Sequence, residues 1–233
     1  MEAIILAGGR GTRLSSVVPN LPKPLAPVNG RPFLSYVLAS LAMQGFTRIC
    51  LSTGYMADAI EQQYGTNFRN MELVYVQEES PLGTGGAIRA ALASTATQDI
   101  FVLNGDTLAR VDFQAMMEQH RNSGDTLTIA LTQVTDTARY GAVTVNDSHV
   151  TAFSEKGITG PGYINAGIYL MRRSIFTPFL LPEAFSFEQQ ILMEHFSALC
   201  PGAFLSSGYF IDIGVPEDYM RAQQELPVMI DIQ

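Results

Sequence analysis

Short apolar runs alternate with segments of helical periodicity along the first half of the chain. Ala3-Ile4-Ile5-Leu6-Ala7 is continuously apolar, as a strand covered on both faces requires. From 32 to 44 the apolar positions Phe33, Leu34, Val37, Leu38, Leu41 and Ala42 recur at helical spacing, and Gly45 supplies a stop. The same reading predicts strands over 48–53, 73–77 and 100–103, and helices over 57–64, 85–93 and 113–120. A βαβα order of this kind implies a parallel sheet with helices on both faces, and such sheets bind ligands beyond the carboxyl ends of their strands.

The second half changes character. Strand-like segments at 126–134, 143–145, 149–153 and 163–171 are separated by turn residues, which predicts mixed or antiparallel strands added to the sheet. A helix is expected over 187–199, paired strands over 204–213 around Ser206-Ser207-Gly208, and a closing helix over 216–226 with Pro216 in its first turn. There is no low-complexity linker and no repeat, so a β-helix tail is not expected.

Composition narrows the picture. The chain has 233 residues, enough for one α/β domain, and 47% are hydrophobic against only 15% charged, which favours a full core over disorder. The net charge of -8 argues against broad binding to nucleic acid, which needs a basic surface. It is compatible with a nucleotide, which needs only a few local cations, backbone donors and a metal. Cys50 and Cys200 match no zinc spacing with the three histidines, and Cys50, inside an apolar run, reads as a buried, inert thiol. The N-terminal run is too short for a signal peptide or a membrane span, so the chain reads as soluble and cytoplasmic.

Two segments carry chemistry. Leu6-Ala7-Gly8-Gly9-Arg10-Gly11-Thr12-Arg13-Leu14 follows the first strand directly. Its glycines let backbone N–H groups form an anion-binding nest, and Arg13 adds a guanidinium fork suited to phosphate oxygens. No Gly-Lys-Ser/Thr follows, so this is not a P-loop, and Leu14 stands where a dinucleotide fingerprint needs its third glycine. The second segment, Leu21-Pro22-Lys23-Pro24-Leu25, holds one lysine between prolines, as a stiff extended stretch that can reach a phosphate in the nest.

The glycine loop with Pro-Lys-Pro resembles the sugar-1-phosphate nucleotidylyltransferases, and the resemblance runs through nearly the whole chain. Gly30-Arg31-Pro32-Phe33-Leu34 and Pro81-Leu82-Gly83-Thr84-Gly85-Gly86 fit two family segments, and Asn104-Gly105-Asp106 fits a metal-holding turn. Glu155-Lys156 and Asn165-Ala166-Gly167 resemble sugar-side motifs, and Ile211-Asp212-Ile213-Gly214 a segment bearing a second metal-binding aspartate. The resemblance implies a Rossmann-like three-layer α/β/α nucleotidyltransferase fold with a mixed, mostly parallel central sheet. It implies one domain over 1–233, with a nucleotide-binding half at 1–125 and a sugar-binding half at 126–233.

The reaction it implies is attack by a sugar 1-phosphate on the α-phosphorus of a nucleoside triphosphate, with loss of pyrophosphate. Arg13 and Lys23 are then the catalytic cations, and Asp106 and Asp212 hold Mg²⁺. Leu6, Ala7, Gly8, Gly9, Gly11, Thr12, Gln77, Glu79, Gly83 and Thr84 are expected around the nucleotide, with Gln77, Glu78 or Glu79 reading the base. Asn104, Gly141, Glu155, Lys156 and Asn165 are expected around the sugar. A carboxylate at the base edge suits the N1–H and amino donors of guanine. The 79–86 loop looks most like that of the mannose- and heptose-phosphate guanylyltransferases, which points to GTP and D-glycero-D-manno-heptose 1-phosphate. UTP, CTP or dTTP with a hexose or amino-sugar 1-phosphate is the alternative, and an inactive nucleotide-sugar sensor a further one. Self-association is expected from the resemblance alone.

Overall fold

A computed structural model describes residues 1–9, 14, 17–19 and 21–230. In chain order it contains β1 (Glu2–Leu6), a one-turn 3-10 helix (Lys23–Leu25), β2 (Pro27–Val28), β3 (Arg31–Pro32), α1 (Phe33–Met43), β4 (Arg48–Thr53), α2 (Ala57–Tyr64), β5 (Asn67–Phe68), β6 (Met71–Gln77), α3 (Gly83–Leu92), β7 (Asp99–Asn104) and β8 (Thr107–Ala109). The second half adds α4 (Phe113–Ser123), β9 (Leu127–Val134), β10 (Val143–Asn146), β11 (His149–Phe153), β12 (Gly162–Arg172), a π-helix (Phe187–Met193), α5 (Phe196–Leu199), β13 (Gly202–Ser206), β14 (Phe210–Asp212) and α6 (Pro216–Met229).

Ten strands form one mixed sheet in the order β10-β11-β13-β9-β12-β7-β1-β4-β6-β5. The neighbours β7, β1, β4 and β6 are mutually parallel, as their βαβ connections require. β12 runs antiparallel to β7 on one side and β9 on the other, so it joins the two halves of the sheet. Strand alternation sorts the apolar residues into two cores. Ala3, Ile5, Phe101 and Leu103 face one side, where they meet α1, α4 and α6. Ile4, Cys50, Ile100 and Val102 face the other, against α3 and the π-helix. The result is a three-layer α/β/α fold. Burial pushes the Cys50 thiol up to about 11, so it stays a protonated, inert packing group.

Several elements depart from the sequence reading. Strands β13 and β14 do not pair with each other as expected for 204–213: β13 lies parallel to β9, while β14 pairs antiparallel with the three-residue β8. A strand as short as β8 shows no periodicity, so its claim on β14 is invisible locally. The helix expected over 187–199 is split between the π-helix and α5. Lys23 is not extended but opens a 3-10 turn, in which Leu25 N–H donates to the Pro22 carbonyl at 2.9 Å and Ala26 N–H to the Lys23 carbonyl at 3.0 Å. Pro24 tolerates this because neither bond needs its missing N–H. Asn29-Gly30, both at positive φ, form the two-residue hairpin turn between β2 and β3.

Phe46, Phe101 and Phe113 meet edge-to-face with ring centroids 5.0–5.4 Å apart and tie the α1–β4 turn, β7 and α4 together. Because β7 delivers Asp106 to the site, this cluster also sets the depth of that carboxylate. Phe101→Ala is expected to lower stability by about 3–5 kcal/mol, as read by urea denaturation.

Candidate active site

A cavity of about 670 Å³ opens beyond the carboxyl ends of β1, β4, β6 and β7. Its walls include Leu6, Ala7, Gly8 and Gly9 from the end of β1, Lys23, Glu78 and Glu79 after β6, Gly83 and Thr84 from α3, and Asn104 and Asp106 after β7. Sequence reasoning named all of these for the site. Gly11, Thr12 and Arg13 lie outside the described residues. Gln77, the last residue of β6, is exposed and does not line the cavity.

The floor depends on close backbone approach. A Cβ on Gly105 would lie 2.7 Å from the Leu6 carbonyl, to which Gly105 N–H donates at 2.9 Å, so Asn104-Gly105-Asp106 needs its glycine to keep β7 against β1. A Cβ on Gly8 would lie 2.9 Å from Glu78 Oε1 and 3.3 Å from the Gly54 nitrogen. Glu78 is fixed there: Oε2 accepts from Leu82 N–H at 2.9 Å, which draws the 78–82 loop over the cavity. The N-terminal donors of α3 are partly used within the protein. Gly85 N–H donates to the Phe185 carbonyl at 2.9 Å, and Thr84 Oγ1 accepts from Phe187 N–H at 2.9 Å.

The charged centre is assembled from three distant segments. Lys23 Nζ is 2.8 Å from Asp106 Oδ2, and both side chains are largely enclosed. The β8–β14 pairing sets Asp212 opposite Thr107, and Ile213 N–H donates to the Asp106 carbonyl at 3.0 Å. Asp212 Oδ1 accepts from Gly214 N–H at 2.7 Å. A Cβ on Gly214 would stand 3.2 Å from Lys23 Nζ, so the lysine lies against the Asp212 turn. Burial pushes the Asp212 carboxyl above its usual range and the Asp106 charge adds to this, while the Gly214 N–H, Lys23 and Arg139 oppose it. Two carboxylates held together at such cost form the donor set a divalent cation takes alongside phosphate oxygens. No cluster of three or more His, Cys, Asp or Glu exists among the described residues, so phosphates and water would have to complete any shell.

Of the expected sugar-side residues, Asn104 lines the cavity, while Gly141, Glu155, Lys156 and Asn165 lie outside its lining. Gly141, at φ +84°, packs its α-carbon against the Ser154 carbonyl, where a Cβ would approach to 2.6 Å. That contact sets the loop bearing the exposed Glu155 and Lys156. Asn165 works within the fold: Oδ1 accepts from Gly167 N–H at 2.9 Å and Nδ2 donates to the Tyr169 hydroxyl at 2.8 Å. These bonds shape the bulge of β12 opposite β9, which pushes Gly167 against Asn104. Arg139, whose charge reaches Asp212, was not found from sequence. Its near neighbour Gly141 drew notice, but its ion partner Asp218 is remote in the chain.

The sequence and fold are shared with known proteins. A family model described as Nucleotidyl transferase matches residues 2–227. The chain belongs to this family. D-glycero-alpha-D-manno-heptose 1-phosphate guanylyltransferase of Aneurinibacillus thermoaerophilus is 46% identical over 97% of this chain and 98% of its own length. The enzyme of the same name from Campylobacter jejuni is 41% identical over 94% and 97%. Among solved structures, HddC from Yersinia pseudotuberculosis matches with TM-score 0.88 at 38% identity, covering 96% of this chain and 98% of that one. A second structure of that protein, complexed with GMP-PN, matches at TM-score 0.86 and 37% identity over the same shares. Among the described residues, no helix of this nucleotidyl transferase is long and apolar enough to cross a membrane.

The raised Asp212 pKa has a direct consequence for stability. A folded pKa above the unfolded one means that the carboxyl favours folding when protonated, and that this contribution is lost as pH rises through the folded value. Asp212→Asn should therefore raise the melting temperature of the metal-free protein by a few degrees at neutral pH and less in mild acid. Any stabilisation that a divalent cation gives the wild type should also be lost in this variant. Thermal melts in EDTA and in Mg²⁺ at two pH values test both signs.

Proposed function

We propose that this nucleotidyl transferase joins GTP to D-glycero-D-manno-heptose 1-phosphate, releasing pyrophosphate and GDP-heptose. The observation that carries the reading is the gathering of Lys23, Asp106 and Asp212 beside a glycine-walled cavity that Lys23 and Asp106 line. The two near full-length relatives named for this substrate support the choice of sugar and base.

The attacking group is a phosphate oxygen that is already anionic, so no strong general base is needed. A bond forms between that oxygen and the α-phosphorus as the bond to the β-phosphate oxygen breaks, and the electron pair leaves on pyrophosphate. The obstacle is like-charge repulsion, so the protein's work is positioning and neutralisation. Gly8 and Gly9 let the triphosphate approach the backbone at the end of β1. Lys23, held beside Asp106, can turn its ammonium to the α-phosphate. Asp106 and Asp212 would hold Mg²⁺, which when bound supplies positive charge to the phosphate oxygens. Glu78 and Glu79 stand at the cavity wall where the base edge would lie, and a carboxylate accepts from both N1–H and the amino group of guanine. Glu155 and Lys156 meet the sugar and its phosphate, with Asn165 shaping the wall behind them.

Incubation with Mg²⁺, the common triphosphates including dTTP, and a panel of sugar 1-phosphates tests the reading by pyrophosphate release. GTP with the heptose 1-phosphate should be the fastest pair; release with UTP but not GTP would overturn the guanylyl assignment. Lys23→Ala should lose at least ~10²-fold in turnover, the scale of removing one transition-state charge partner. Near-wild-type turnover would refute that role.

A further inference from the structure

The loop at 137–141 joins the metal-side carboxylates to the sugar-side wall, and it carries a cation that none of the roles above uses. Gly157 N–H donates to the Ala138 carbonyl at 2.7 Å, Thr137 N–H to the Gly160 carbonyl at 2.9 Å, and Thr137 Oγ1 to the Ile158 carbonyl at 3.0 Å. These bonds sew the loop to the segment bearing Glu155 and Lys156. On its other side, Tyr140 packs edge-to-face on Phe210, two residues before Asp212, with ring centroids 5.4 Å apart.

Arg139 sits between these two attachments. Its guanidinium stacks over the Tyr140 ring at 4.4 Å and pairs through Nη2 with Asp218, whose carboxylate is almost fully enclosed. Asp218 is itself fixed by Arg221 Nη1 at 2.9 Å, and Arg221 Nη2 donates to the Phe210 carbonyl at 2.7 Å. The chain Arg221–Asp218–Arg139 therefore anchors one guanidinium to the strand that bears Asp212. Phe210, which Tyr140 packs on and whose carbonyl Arg221 holds, lies on the same three-residue strand as Asp212, so the Arg139 cluster is docked on the strand that carries this carboxylate. The hydrogen bonds of Arg139 run from Nη2, the side chain is 38% exposed, and Nε and Nη1 have no protein partner among the described residues. A fixed, stacked guanidinium with open donors is suited to bidentate capture of a phosphate.

We infer that Arg139 is a binding residue for the phosphate of the sugar 1-phosphate, holding the attacking oxygen between the sugar wall and the metal-side carboxylates. Asp218 and Tyr140 are its positioning partners. The inference rests on the proposed function, since it assigns one substrate of that reaction. In a protein of net charge -8, a local cation between two carboxylates and a sugar wall also offsets the repulsion an incoming phosphate meets.

Steady-state kinetics of Arg139→Gln and Arg139→Lys test it. Gln keeps a donor for Asp218, and Lys keeps the charge without the fork. Wild-type pyrophosphate release is the control on the proposed function itself. With that control positive, kcat/KM for the sugar 1-phosphate should fall roughly 10- to 100-fold in Arg139→Gln, the range for losing charged hydrogen bonds. The loss should appear mainly in its KM, be smaller in Arg139→Lys, and leave the KM for the triphosphate within about threefold. Calorimetric titration should show weakened binding of the sugar 1-phosphate but unchanged binding of the unphosphorylated sugar. An unchanged KM for the sugar 1-phosphate overturns the inference, as does a change confined to Mg²⁺ dependence or to the triphosphate KM, because Arg139 would then serve Asp212 rather than the phosphate.

Discussion

Three antiparallel pairs between β8 and β14 bring Asp212 to Asp106, and the chemistry of the site depends on that pairing. Each strand is only three residues long, so the ladder is marginal by itself. It holds because Ile211 and Ile213 are buried in the core beside Leu108, and because Arg110 N–H and Ile213 N–H extend the bonding at its two ends. Apolar burial on either side thus holds the intervening polar residue, Asp212, half-buried beside the Asp106 turn. The carboxylate repulsion this creates is a local instability that the rest of the fold outweighs, which is typical of a site built for a cation and anionic substrates.

The layers of the fold serve the same convergence. Parallel strands β7, β1, β4 and β6 end together, so their loops meet at one cavity, while β12 reverses direction and carries the sheet into the second half of the chain. Glycines appear where backbones must nearly touch. Gly105 lies against Leu6, Gly8 faces Gly54 and Glu78, and Gly141 abuts Ser154. A side chain at any of these would push apart walls that the substrates must bridge. Lys23 and Arg139 are each held by a carboxylate, the first by Asp106 and the second by Asp218. Both are held before substrate arrives, which lowers the cost of ordering them during the reaction.

Much of this was legible in the sequence. The long buried strands and the main helices announced themselves through continuous apolar runs and helical spacing, because their burial is decided locally. Lys23 drew notice through its flanking prolines, and Asp106 and Asp212 through the resemblance of Asn104-Gly105-Asp106 and Ile211-Asp212-Ile213-Gly214 to family segments. What escaped depended on partners far away in the chain. The three-residue β8, the true partner of β14, the split of the 187–199 helix into a π-helix and α5, and the Arg139–Asp218 pair have no local signature. Glu78 could be singled out only as one of three candidates, since its grip on Leu82 N–H and its contact with Gly8 are tertiary. Lys23 was expected on an extended segment, and the 3-10 turn that carries it follows from carbonyl acceptors rather than from its flanking prolines alone.

The central claim is that Asp106 and Asp212 act as one divalent-cation site created by the β8–β14 pairing. A Mn²⁺ titration followed by electron paramagnetic resonance, on wild type, Asp106→Asn, Asp212→Asn and the double variant in the presence of GTP, tests it most directly. The account predicts that either single substitution removes most of the bound Mn²⁺ and that the double variant loses little more, a strongly non-additive cycle. Independent, additive losses, or full Mn²⁺ binding in either single variant, would contradict it.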